Sequence, residues 1–172
     1  MTLKTTTRSL ALAALLGATA LTMPALAQDP STITGGFDVG PGGFQGNFNP
    51  LAATSGLTWL SVYYEPLVIY NAELTQLEGA LASEWSMSED QREITFTLVE
   101  ETWHDGEAFT SADVKFTLEL AKNAAAGSVF AARLGSITSV DTPDDRTVVV
   151  TLSNPDTGLL STLAQVMILP EH

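Results

Sequence analysis

Residues 101–116 read ETWHDGEAFTSADVKF, with a Trp, a His and several carboxylates crowded around one glycine. Such a cluster could serve a metal site, an acid–base pair or a sugar-stacking platform. It could equally be architecture. The residues on either side favour architecture. Upstream, Ile94, Phe96 and Leu98 alternate with Thr95 and Thr97, the period-two pattern of a half-buried strand. Asp105-Gly106 is turn chemistry. Thr110-Ser-Ala-Asp113 has the form of a capping box, a signature worth about 1 kcal/mol at a helix start. The helix SADVKFTLELAKN then carries a stripe of Val114, Thr117, Leu118 and Ala121, widened by Phe116 and Leu120. Strand, turn and capped helix account for every unusual residue in the stretch.

Working outward, Glu84–Ser88 and Glu93–Val99 read as a hairpin around the polar turn SEDQR. Leu57–Tyr64 reads as a helix ended by Glu65-Pro66, because proline disfavours α geometry in the residue before it. Beyond the capped helix, NAAAGS (123–128) reads as a flexible break and VFAARLGSI as a short helix or turn. A strand is expected at Ile137–Val140, a turn at TPDD (142–145), and a strand at Arg146–Leu152 with Val148, Val150 and Leu152 inward. Asn154-Pro155-Asp156 should cap a helix over Thr157–Ala164.

The first 27 residues read as an export signal. Lys4 and Arg8 precede the apolar run Ser9–Met23, and Ala25-x-Ala27 forms the cleavage site. The run is shorter than the roughly 18 apolar residues a membrane anchor needs. Removing it leaves five Lys/Arg against twenty Asp/Glu, a formal charge of −15. That balance argues against nucleic acid and anionic lipid as partners. Cysteine is absent, so neither a disulfide framework nor a lipid-bearing Cys is available. A periplasmic or secreted location fits best. STITGGFDVG reads as a short strand, and PGGFQGNFNPLAATSG after it as a long loop.

Catalytic and metal readings find little to build on. His104 has one other histidine in the chain, His172, and no Cys, whereas a structural zinc site wants four N/S ligands. His104 therefore reads as a turn histidine. Glu100, Glu101, Asp105 and Glu107 could supply a glycosidase pair, but sequence neighbours rarely face each other across a sugar. No G-x-S-x-G and no phosphate loop is present. The expectation is a non-enzyme with no catalytic residue, metal or cofactor.

FNPLAATSG, YEPLVIYN, LEGALASEWSMSEDQREITFTL, WHDGEAFTSADVKFTLE and RTVVVTLSNPDTGLLSTLAQVMILPEH resemble, in chain order, the N-terminal part of family 5 bacterial extracellular solute-binding proteins. These are the peptide- and nickel-type receptors of ABC importers. One departure is local: Leu98 is followed by Val99-Glu100-Glu101-Thr102, without the basic residue and Gly usual in the family at this point. The resemblance implies an α/β chain with a partial type II periplasmic-binding-protein fold. Residues 1–27 would be the signal peptide. Residues 28–66 would give the first strand, loop and helix of the main lobe. Residues 67–172 would form the small mixed α+β extra lobe, truncated, so that the chain is an N-terminal fragment.

The resemblance also implies capture of a small solute, foremost a peptide, and delivery to ABC permease subunits in the membrane. Phe48, Asn49, Thr54 and Ser55 on the loop after the first strand, together with Phe130 after the capped helix, are its implied ligand contacts. A secreted carboxylate-dependent hydrolase and a small stand-alone β-rich binding module are the alternatives.

Overall fold

The computed structural model describes residues 48–52 and 60–172. Its centre is a four-stranded antiparallel sheet of β3 (Ala82–Met87), β4 (Glu93–Leu98), β5 (Ile137–Asp144) and β6 (Thr147–Leu152), in the spatial order β3-β4-β6-β5. The period-two reading of β4 and β6 holds in register: Ile94 lies opposite Val150 and Phe96 opposite Val148. Ile94, Phe96, Leu98, Val148, Val150 and Leu152 all turn into one core. The opposite face presents Thr95 against Val149 and Thr97 against Thr147.

Helix α1 (Ser111–Lys122) covers the buried face through Val114, Thr117, Leu118 and Ala121, the expected stripe, with Phe116 and Leu120 half-buried at its margins. The capping box forms at its start. The Asp113 carboxylate accepts the Thr110 N–H at 2.8 Å, and the Thr110 hydroxyl turns toward the same oxygen at 3.4 Å. Ser111 then ties the helix to the β5–β6 turn, its N–H donating to the Asp145 carbonyl and its hydroxyl to that of Asp144. The Asp-Gly turn is also in place, with Gly106 at φ +96°.

Several boundaries differ from expectation. Val68–Tyr70 (β1) and Leu77–Gly79 (β2) form a separate small hairpin that alternation did not reveal. Each strand is three residues long and mostly exposed, so there is no buried face to leave a pattern. Its loop is closed instead by Asn71, whose Oδ1 accepts the Thr75 and Gln76 N–H groups. β5 runs on through Thr142, Pro143 and Asp144, so TPDD is strand for most of its length. Pro143 is tolerated there because β5 is an edge strand and its register shifts between Asp141 and Asp144. NAAAGS contains a short 3-10 turn, Ala124–Ala126, closed by Gly127 in the left-handed region. The last helix, α2 (Leu159–Leu163), is shorter than expected. Of the helix expected over 57–64, the described residues from Leu60 on make one turn, with the Leu60 carbonyl accepting the Tyr63 and Tyr64 N–H groups. The signal segment and the strand expected before the loop lie outside the described residues.

The closing segment lies across this assembly. Met167 bridges Pro66, the Ile168 N–H donates to the Glu65 carbonyl, and the Leu169 N–H donates to the Thr117 hydroxyl at 2.9 Å. A buried hydroxyl on α1 therefore fixes a strand-like strap against the helix.

Candidate functional site

A cleft of about 360 Å³ opens where three segments meet: the turn after Leu60, the lead into β3, and the chain leaving β4. Tyr63, Tyr64 and Trp103 supply aromatic walls, Glu65 and Glu101 supply carboxylates, and Leu81, Val99 and Phe109 lie among the apolar lining. Its backbone is anchored on both sides. The Glu65 carbonyl accepts from Ile168, and the Glu101 carbonyl accepts from the Phe109 N–H at 3.0 Å.

Trp103 is held from behind. Its indole Nε1–H donates to Asp113 Oδ2 at 3.3 Å, and its ring packs edge-on against Phe109 at 6.0 Å and His172 at 6.5 Å. Asp113, 3% exposed, thereby serves three segments, because its Oδ1 also accepts the Glu171 N–H at 2.8 Å. His172 Nε2 meets Asp105 Oδ2 at 2.9 Å. This contact raises the His172 pKa. It also lowers that of Asp105, which the Glu107 N–H assists by donating to Asp105 Oδ1.

The expected ligand residues separate. Phe48 is 52% exposed and packs edge-on against Tyr63 at 6.2 Å, which brings it to the rim of the cleft. The Asn49 side chain accepts the Leu51 N–H at 3.0 Å and so shapes its own turn. Thr54 and Ser55 lie outside the described residues. Phe130 is 1% exposed, with its ring in the core beneath the Arg133 guanidinium, 5.0 Å away. Its segment nevertheless touches the same loop, since the Val129 N–H donates to the Leu51 carbonyl.

Glu100, Glu101, Asp105 and Glu107 are all exposed, with Glu100 facing Arg146 and Asp105 facing His172. This arrangement does not supply the facing pair that the hydrolase alternative needs. His104 sits at the cleft wall. No group of His, Asp or Glu among the described residues could hold a metal ion, and no helix among them is long and apolar enough to cross a membrane. Sequence reasoning weighed Glu101 as one of four candidate acids and did not bring Tyr63, Tyr64 or Glu65 to the cleft. The one available signal was the clustering of YYE ahead of a proline.

The sequence profile of the bacterial extracellular solute-binding proteins, family 5 Middle, matches residues 76–172. The chain belongs to this family. A Brucella ovis protein named as an ABC transporter peptide-binding protein is 58% identical over 164 residues, covering 95% of this chain and 31% of its own. An Escherichia coli K12 protein named as a D,D-dipeptide-binding periplasmic protein is 35% identical over 67% of this chain and 23% of its own.

Among solved structures, the PBP AgaA from A. tumefaciens R10, in complex with agropinic acid, superposes with a TM-score of 0.68 at 33% identity. It covers 73% of this chain and 26% of its own length. NikZ from Campylobacter jejuni, in complex with Ni(L-His), gives 0.67 at 28% identity, over 74% and 26%. The fold is thus part of a type II periplasmic binding protein, as the family 5 resemblance implied. The chain spans about a third of the length of the curated relatives it matches.

Proposed function

We propose that this protein is the substrate-binding component of an ABC importer, taking up a small solute, foremost a peptide, in the periplasm and handing it to membrane permease subunits. The observation that carries this reading is the 58% identity, over 95% of the chain, to a relative named for peptide binding. In the same proposal residues 1–27 direct export, residues 28–66 open the main lobe, and residues 67–172 form the extra lobe. Phe48, Asn49, Thr54 and Ser55 are the proposed solute contacts. Phe130 stands with them through the loop that Val129 holds.

The mechanism is binding rather than bond-making. Micromolar capture corresponds to about −8 kcal/mol, which a receptor gathers by surrounding its ligand and excluding water from both sides. In this reading residues 48–52 and 60–172 contribute one wall of such a site. The 172-residue chain by itself is therefore expected to hold solute weakly.

Deleting the gene and measuring uptake of radiolabelled di- and tripeptides tests the proposal. Loss of uptake, restored by the reintroduced gene, is the expected result. Unchanged uptake of peptides and of other small solutes overturns it.

A further inference from the structure

We infer that the cleft beside Trp103 is a recognition subsite for a cationic group of the solute, an ammonium or guanidinium. This assignment rests on the solute-capture reading and gives that reading a ligand chemistry. The cleft, at about 360 Å³, lies toward the lower end of the sizes that small-molecule sites occupy, room for one side chain or a small amino compound. Its walls combine two carboxylates, Glu65 and Glu101, with the rings of Tyr63, Tyr64 and Trp103. Aromatic faces attract cations through their quadrupole, and carboxylates supply the countercharge.

Three observations single this cleft out from the acidic surface around it. First, no Lys or Arg is among the described residues that line it. Arg133 lies over Phe130, and Arg146 faces Glu100 and the Leu98 carbonyl. Second, the ion pairs among the described residues are Arg146 with Glu100 and His172 with Asp105, so Glu65 and Glu101 take part in neither. Asp105 and Asp113 are engaged elsewhere and Glu107 stands outside the lining, whereas these two belong to the lining of an aromatic recess. Third, the recess is pre-organised. The main chain of both glutamates is fixed by hydrogen bonds from Ile168 and Phe109, and the Trp103 ring is fixed through Asp113. A cation entering here meets a ring already in place and two glutamates whose main chain is fixed, which limits the ordering to their side chains.

The test uses the 172-residue chain, with acetyl-arginine amide as the cationic probe and acetyl-citrulline amide as its neutral counterpart of the same shape. Binding is read from the NMR shifts of the Trp103 indole N–H and of the amides of residues 63–65 and 99–104. The arginine probe should bind about tenfold more tightly, the preference expected of a charge-assisted, aromatic-lined site. Glu65→Gln and Glu101→Gln should each shrink that ratio, and the double variant should bring it to about unity, while Glu119→Gln on the exposed side of α1 leaves it intact. Retained dispersion of the amide spectrum verifies that each variant is folded. Equal perturbation by both probes overturns the charge selection and leaves solute capture standing. No perturbation of the cleft by either probe overturns the subsite, whereas the uptake experiment decides solute capture independently.

Discussion

The imidazole of His172 meets the carboxylate of Asp105 at 2.9 Å across 67 positions of sequence, clasping the end of the closing strap to the turn that carries Trp103. Asp113 and Glu107 add negative potential at the same imidazole. The raised His172 pKa means that its stabilising contribution is complete below the unfolded value near 6.5 and is lost as pH rises through the folded value. The lowered Asp105 pKa works at the other end. Its contribution is present above about 3.9 and is lost as pH falls through the folded value. The clasp should therefore be tightest between about pH 4 and 6.5. Above that window a neutral imidazole can still donate to Asp105, so the strap loosens without releasing. A proton NMR titration of His172 should give a midpoint above that of free histidine, and Asp105→Asn should lower it. A midpoint unmoved by Asp105→Asn would show that the contact does not persist in solution.

Asp113 carries more of the local structure than its place in the capping box suggests. It accepts from Thr110, Trp103 and Glu171, joining the helix start, the cleft wall and the strap. Asp113→Ala leaves those donors short of an acceptor in a nearly buried place and should cost about 2–4 kcal/mol, combining the lost cap with unsatisfied N–H groups. Asp113→Asn keeps one acceptor oxygen and should recover part of the loss. Urea unfolding measures both. Trp103 emission should shift to the red in the alanine variant as its ring loses its anchor.

How much of this was legible depends on whether a residue's neighbours in space were also its neighbours in sequence. The Thr110–Asp113 box, the α1 stripe and the alternation of β4 and β6 are local patterns, and each appears where the spacing put it. The hairpin β1–β2 was not legible because three-residue exposed strands bury too little to leave a period. Pro143 pointed to a turn, yet an edge strand accepts a proline where its N–H would face solvent. The cleft was the least legible feature. Glu65 and Glu101 line one cleft because Leu81 stands between their segments, its N–H donating to the Pro66 carbonyl and its own carbonyl accepting the Val99 N–H, contacts that span many residues. Phe130 was nominated by the resemblance, and nothing in its own neighbourhood signalled that the ring would turn into the core.

Gly79 and Gly106 should respond differently to alanine. At Gly79 a Cβ would run into the Ala82 carbonyl oxygen, and that backbone is held because the Ala80 and Ala82 N–H groups both donate to the Leu67 carbonyl. The clash must be relieved by moving strand backbone, so Gly79→Ala should cost about 1–3 kcal/mol, as overpacking does. Gly106 has open space around it but sits at φ +96°, so Gly106→Ala should cost only the backbone strain, about 1 kcal/mol. Thermal unfolding of the two variants separates these causes. A Gly79→Ala variant as stable as the parent would mean that the β2–β3 connection can yield.

Thr117 tests how much of the strap's docking rests on its one hydrogen bond to the middle of α1. Its hydroxyl donates within α1 to the Asp113 carbonyl at 2.8 Å and accepts the Leu169 N–H at 2.9 Å, in a fully buried position between helix and strap. Thr117→Val keeps the volume and the apolar contacts but leaves the Leu169 N–H without its acceptor. The cost should be about 1–3 kcal/mol, the penalty for an unpaired buried donor. Because Leu169 lies on the strap, the same variant should speed hydrogen exchange at residues 168–171 more than at the α1 amides. Thr117→Ser keeps the hydroxyl and should preserve that exchange protection at the expense of a methyl group's packing. Strap exchange unchanged in the valine variant would assign the docking to its other anchors, the Ile168–Glu65 and Glu171–Asp113 hydrogen bonds and the packing of Met167 and Ile168.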